Sequence, residues 1–168
     1  LVGSSLSIVL VVALLTCMRR YGRERLRWAK LRYFDEAVLG AGVFLGIAYL
    51  YIPLVEPLIE GLLESEPEID EAIMDPVKVF GLPTALMVVA VTPAIVEELA
   101  FRGVLQGRLL ALLGRREALL LTAILFTLVH LSPVVFPLHF GIGLYLGWLR
   151  MRSGSLLPGM LLHFLYNG

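Results

Sequence analysis

Six side chains in the second half of the chain have the types and spacing for hydrolytic chemistry. Glu97, Glu98 and Arg102 follow Val79–Val96, eighteen residues with no formal charge. His130 stands inside Ala118–Leu149, thirty-two residues equally without formal charge, and His163 and Asn167 lie in the final apolar stretch. An ionisable group at the centre of a membrane span costs about 2.5–3.5 kcal/mol by insertion scales, so such groups face a protein interior or a wet cavity and mark a functional site by default. A spacing of four residues puts two side chains on one helix face. Glu98 and Arg102 are so spaced, as are Phe126 and His130, and His163 and Asn167. Arg102 can hold Glu98 ionised. Glu97, about 100° round the helix from its neighbour, must face something else, and a cavity is the expected target.

The chemistry that uses these groups is water activation. A carboxylate takes a proton from water while a histidine orients that water or relays the proton. A second histidine and an amide can hydrogen-bond the oxyanion that forms on an attacked carbonyl. Glu97 with His130 fits the first role, and His163 with Asn167 the second. A metal reading is equally physical: Glu97, His130 and His163 as a two-histidine, one-carboxylate zinc site with a position open for water. The HExxH helix of common zinc proteases is absent. Each feature alone has a plainer explanation. A lone membrane histidine often serves as an interhelical hydrogen bonder, and Glu98 with Arg102 could be only a packing ion pair. His139, between Pro137 and Gly141, lacks a partner at helical spacing and is expected to be structural. The case for function is the convergence of two acids, two histidines and an asparagine on three otherwise uncharged stretches. Nucleophilic alternatives are weaker. Ser132 lacks an evident third group, Cys17 sits at the edge of the first apolar run, and serine or aspartyl intramembrane-protease signatures are missing. Phosphate loops and nucleic-acid motifs are absent too.

The elements that must position these groups are membrane helices. The 168 residues are 58% hydrophobic and only 17% charged, against about 45–50% and 25% in a soluble domain, and the mean hydropathy is +0.85. The net charge of zero hides segregation. The single Cys17 excludes an internal disulfide and a multi-cysteine metal site. The sequence implies an all-α fold, a polytopic transmembrane helix bundle of about six membrane spans, forming one domain over residues 1–168 with a catalytic core at 79–168. Spans are expected at Leu1–Met18, Ala37–Val55 (ended by Pro53 and Pro57, with Gly42 and Gly46 as a close-packing face), Val79–Val96 with a helical continuation to Leu113, about 118–132, about 135–149, and from Ser153 onward. Leu1 is not a methionine, and an upstream start is expected to be missing. Pro93, four residues before Glu97, removes a hydrogen bond and can open space beside the carboxylates, provided the freed carbonyl finds a partner.

Arg19, Arg20, Arg23, Arg25, Arg27, Lys30 and Arg32 form one basic run. Arg108, Arg115 and Arg116 form a second, and Arg150 with Arg152 a third. Residues 56–78 carry eight acids: Glu56, Glu60, Glu64, Glu66, Glu68, Asp70, Glu71 and Asp75. The excess of Lys and Arg in cytoplasmic loops gives an integral, multi-pass membrane protein with basic loops cytoplasmic and the acidic loop 56–78 external. That loop reads as a solvated charge run, since carboxylates strung along it lack a fixed coordination geometry. One strain remains: Glu97 and His130 count as deep, whereas His163 lies only about 15 Å from Arg152 at 1.5 Å per residue. A kinked third helix, or an amphipathic segment at about 104–116, would reconcile them.

The motifs Glu97-Glu98-x-x-x-Arg102, Phe126-x-x-x-His130, Phe140-x-x-Gly143 and His163-x-x-x-Asn167 resemble those of the CPBP family, the CAAX prenyl proteases and bacteriocin-processing enzymes also called the Abi family. The stretch from Gly143 to Met160 resembles the family's link between its third and fourth motifs. The resemblance covers about residues 79–168. It implies a helical intramembrane endopeptidase in which Glu97 is the base, His130 its partner in activating water, and His163 and Asn167 bind the oxyanion. Glu98 and Arg102 would support the site, and no cofactor would be required. The alternative is Zn or another divalent metal on Glu97, His130 and His163. Expected partners are membrane lipid and a lipidated or membrane-inserted peptide substrate, with no nucleic acid. Two other classes compete: a non-catalytic immunity or scaffold protein binding a peptide in the same cavity, and a proton-coupled transporter. The scaffold has little need for a general base, and an inverted repeat expected of many transporters is not visible.

Overall fold

The computed structural model describes residues 33–62 and 76–168. The expected first span, the basic run through Arg32 and most of the acidic loop lie outside the described residues. Within them the chain is helical and contains no strand. It forms α1 (Phe34–Leu62), a short α2 (Pro76–Phe80), α3 (Leu82–Leu112), α4 (Arg115–Leu128), α5 (Phe136–Ser153) and α6 (Leu157–Asn167).

Helix α1 presents Ala37, Ala41 and Ala48 to the bundle, with Phe44 on the same face. These positions recur every three to four residues, as one helix face requires. The other side exposes Leu39, Leu50 and Leu54. Pro53 and Pro57 lie inside the helix and do not end it, so Glu56 and Glu60 belong to α1. In an apolar setting an unpaired backbone group is costly, and the helix remains the best solution around an isolated proline. Gly42 and Gly46 meet no packing partner among the described residues. A side chain added at Gly42 or Gly46 would meet nothing within 4 Å, whereas one at Gly40 would come within 2.9 Å of Leu162 Cδ1. The buried alanines fix the rotation of α1, and that rotation points Gly40 inward and Gly42 and Gly46 away.

Helix α3 starts three residues later than expected. Gly81 has φ of 74°, a left-handed conformation that breaks the run from α2 and that glycine adopts cheaply. Two π-helical segments, Met87–Val91 and Glu98–Leu105, widen α3. Such insertions recur at functional sites. The first lies just before Pro93, which has no N–H to offer the carbonyl of Val89 four residues back. Asn167 Nδ2 approaches that carbonyl at 3.4 Å, supplying the partner a freed carbonyl needs.

Among the described residues two helices are long and apolar enough to cross a membrane: Phe34–Ile59, with mean hydropathy 2.1, and Leu82–Leu112, with 1.7. Helices α4 and α6 have 14 and 11 residues, about 21 and 17 Å long at 1.5 Å each, short of a hydrocarbon core of about 30 Å. Six spans are therefore not shown among the described residues. Helices α4 and α5 form an antiparallel pair, and α6 packs on both α1 and α3. The main core joins Ala37, Ala41, Phe101, Phe126, Ile142, Leu146 and Leu162.

Candidate active site

Glu97 ends an α-helical stretch of α3, and Glu98 opens the second π segment. The two carboxylates consequently meet different surroundings. Glu98 is buried, and its Oε1 accepts from Arg102 Nη1 at 2.8 Å. Arg102 also gives Nη2 to the carbonyl of Gly143 at 3.3 Å and lays its guanidinium 4.2 Å from the centre of the Phe126 ring. Four residues along α3, Gln106 Nε2 donates to the carbonyl of Gly147 at 3.0 Å. Two polar side chains a turn apart on α3 thus dock onto two carbonyls a turn apart on α5. The glycines permit it: a Cβ at Gly147 would stand 3.2 Å from Gln106 Nε2, and one at Gly143 3.2 Å from Ala123 Cα. Gly159 on α6 is equally constrained, because a Cβ there would come within 2.8 Å of Glu98 Oε2.

Glu97 is partly open, and its Oε2 is buried without a hydrogen-bond partner. That oxygen lies 3.8 Å from His130 Nε2 and 3.8 Å from His163 Nε2. The other nitrogen of each ring is engaged. His130 Nδ1 stands 2.8 Å from the Phe126 carbonyl, and His163 Nδ1 3.4 Å from Glu98 Oε1. A ring nitrogen facing a carbonyl must carry the proton, so neutral His130 turns an Nε2 lone pair toward Glu97. Two acceptors cannot hydrogen-bond each other, and a water donating to both can bridge them. Phe126 packs behind both rings, with centroids 4.8 Å from His130 and 5.8 Å from His163.

The sequence places His130 on the fourth helix; in the structure it sits in the turn just past α4, still tied to Phe126 one turn back. The depth mismatch disappears because α6 starts inside the bundle. Leu156 and Met160 pack against Leu99, with Val104 beside them, which lifts His163 to the level of Glu97. Glu97, Glu98, Arg102, His130 and His163 come together as expected. Asn167 differs. It lies one turn beyond His163, and the contact its amide makes is to the Val89 carbonyl; the second hydrogen on Nδ2 remains for another acceptor.

His139 is the residue that the sequence reading missed. Its ring stacks on His130 with centroids 4.0 Å apart, and its Nδ1 stands 3.1 Å from the Val135 carbonyl. The signal was present. His130 and His139 flank the Pro133–Pro137 turn almost symmetrically, and an antiparallel hairpin brings such positions together. The zinc alternative rests on Glu97, His130 and His163, whose donor atoms stand at the distances already given. Among the described residues no group of three or more His, Cys, Asp or Glu is arranged to hold a metal ion. Beside the site, Phe101, Leu125, Leu128, Val129 and Leu131 line an apolar cavity of about 490 Å³.

Residues 79–168 match the family model described as type II CAAX prenyl endopeptidase, Rce1-like. No curated protein and no solved structure matches the chain.

Proposed function

The chain belongs to the Rce1-like type II CAAX prenyl endopeptidase family, a family of membrane-embedded proteases, and on that premise we propose that it is an intramembrane endopeptidase that hydrolyses peptide bonds with a water activated by Glu97 and His130. The observation that carries this reading is the position of Glu97 Oε2, unpartnered and 3.8 Å from the Nε2 atoms of both His130 and His163. A water bridging Glu97 and His130 attacks the scissile carbonyl and gives its proton to Glu97. The carbonyl oxygen becomes an oxyanion beside His163, with the free amide hydrogen of Asn167 as a second donor. His163 turns Nε2 to the oxyanion while its Nδ1 faces Glu98 Oε1. Collapse of the intermediate breaks the C–N bond, and Glu97 returns the proton to the leaving amine. Glu98, Arg102 and Gln106 hold the frame and touch no substrate.

The apolar cavity next to His130 supports a lipidated or membrane-inserted peptide as substrate, since its walls match an acyl or prenyl chain and offer no polar anchor. Arg108, Arg115 and Arg116 at the α3–α4 turn and Arg150 and Arg152 at the end of α5 support the topology with this end of the bundle in the cytoplasm. No metal is required in this mechanism.

The test is cleavage of a quenched fluorescent prenylated CAAX peptide by the full-length protein in detergent, with Glu97→Gln and a chelator in parallel. Cleavage that survives the chelator and disappears in Glu97→Gln is the expected result. Loss in chelator as well, restored by zinc, would replace the metal-free reading with the metal one. Binding of the peptide by both proteins with cleavage by neither would favour the scaffold.

A further inference from the structure

Away from Glu97, at the end of the bundle where α3 and α5 finish and α4 begins, Arg102, Arg115 and Arg150 line one cavity of about 390 Å³ together with Gly107, Leu110 and Gly154. A single water takes about 30 Å³, so this space holds a chemical group of some size. Arginines from three helices line it, and none of the described lining residues is acidic. Arg102 is fully buried, with Nη1 on Glu98 and Nη2 on Gly143, yet its buried Nε has no hydrogen-bond partner.

Arginines at helix C-termini often serve only the last carbonyls, and that explanation covers Arg150 in the last turn of α5. It does not cover Arg115, the first residue of α4. A cation at a helix N-terminus meets the positive end of the dipole. The N-cap of α4 is Gly114, with no side-chain cap hydrogen bond, and the Glu117 carboxylate lies against Gly114, so that acid already meets the positive end of the helix while Arg115 lines the cavity. Glu117, in the same first turn, is exposed and is not among the lining residues.

We infer that this cavity binds a phosphate-bearing anion, and that the phosphate is the headgroup of an anionic phospholipid. The planar fork of arginine matches phosphate oxygens in pairs. Leu112 and Leu113 are exposed at the adjoining end of α3, an apolar flank for acyl chains that a soluble phosphate does not need. Arg102 links this cavity to the catalytic frame, because the same guanidinium holds Glu98. A bound headgroup would therefore steady Glu98 and, through it, His163. The inference rests on the membrane embedding of the family and not on the peptidase chemistry.

Native mass spectrometry of the full-length protein, released from micelles containing phosphatidylglycerol or the uncharged diacylglycerol, tests it. The probes are those two lipids and inorganic phosphate. The expected result is one phosphatidylglycerol retained per chain, no diacylglycerol, and retention about tenfold weaker in Arg115→Gln, the loss of one charge-assisted contact. Arg116→Gln, exposed and outside the lining, should retain the lipid like the wild type. Arg150→Gln, its fold checked by circular dichroism, should weaken retention as Arg115→Gln does. Displacement of the lipid by an equal concentration of inorganic phosphate would overturn the lipid assignment in favour of a soluble anion. Equal retention by wild type and Arg115→Gln, or retention of both lipids alike, would overturn the site. Each result is read by binding alone, so it stands whether or not peptide cleavage is found.

Discussion

Glu97 and Glu98 are adjacent in sequence and opposite in circumstance. Around Glu98 each side chain is tied to a neighbour: Arg102 bridges to α5, Gln106 repeats the bridge a turn later, and His163 leans in from α6, although Glu98 Oε2, Arg102 Nε and Gln106 Oε1 make no hydrogen bond. Around Glu97 the polar atoms face one another across separations that no direct hydrogen bond spans. The first half is closed by protein–protein contacts and the second is left for a reactant. Direct contacts between helices hold a frame in place, and a catalytic base is useful only when its acceptor is free. This pair of environments achieves both within one turn of helix.

The contrast breaks most visibly at Arg102. Replacing it with alanine leaves Glu98 buried without its cation, and breaking a buried pair in this way costs about 3–5 kcal/mol. Arg102→Ala should lose most of its folded population or melt far below the wild type in detergent, as read by circular dichroism. A wild-type melting temperature would show that the Glu98 half is not structural. Glu97→Gln should do the reverse. It keeps shape and removes basicity, so peptide cleavage should fall by about 10²–10⁴-fold, the usual contribution of a general base, with the melting temperature unchanged. A variant that cleaves normally would remove Glu97 from the mechanism.

His139 sharpens the boundary between the two halves. Its ring lies against His130, with centroids 4.0 Å apart, where it acts either by stacking or by moving protons. His139→Ala should lower kcat by several-fold to about tenfold, and His139→Phe, which keeps a ring in the same place, separates the two roles. Recovery in the phenylalanine variant identifies His139 as a positioning residue. No recovery, together with a changed pH profile of kcat, identifies a proton path.

How much of this was legible in the sequence follows from the range of the interactions concerned. The helical class, the end of α3 near Leu113 and the pairing of Glu98 with Arg102 rest on local periodicity and i,i+4 geometry, and they were readable. The convergence of Glu97, His130 and His163 was readable only as a pattern of ionisable groups on apolar stretches. What failed depends on helix rotation and on turns. Pro53 and Pro57 look like terminators, yet their cost is local and α1 absorbs it. Gln106 resembles any polar residue near a helix end, because its partner is a backbone carbonyl forty-one residues away. Asn167 shares a face with His163 as its spacing implies, but its contact with the Val89 carbonyl, seventy-eight residues away, follows from the packing of α6 on α3 and has no local signal. His139 was set aside for want of a partner at helical spacing, when its partner lay across a hairpin.

The smallest effect expected concerns two pairs of glycines with identical spacing. Gly143 and Gly147 on α5 stand where a methyl group would press on Ala123 and on Gln106, while Gly42 and Gly46 on α1 look into open space. Spacing alone marks both pairs as close-packing faces, so the difference must come from what lies opposite. Gly147→Ala should cost about 1–3 kcal/mol, the usual range for overpacking, because Leu119 Cδ1 must shift and the Gln106 amide, already committed to a carbonyl, is crowded as well. Gly46→Ala should instead stabilise α1 by about 0.5–1 kcal/mol, since glycine is the poorer helix former. Melting temperatures of the two variants in the same detergent read the contrast directly. A drop in Gly46→Ala as large as that in Gly147→Ala would show that the outer face of α1 is covered in the working protein, by a segment outside the described residues or by a second molecule.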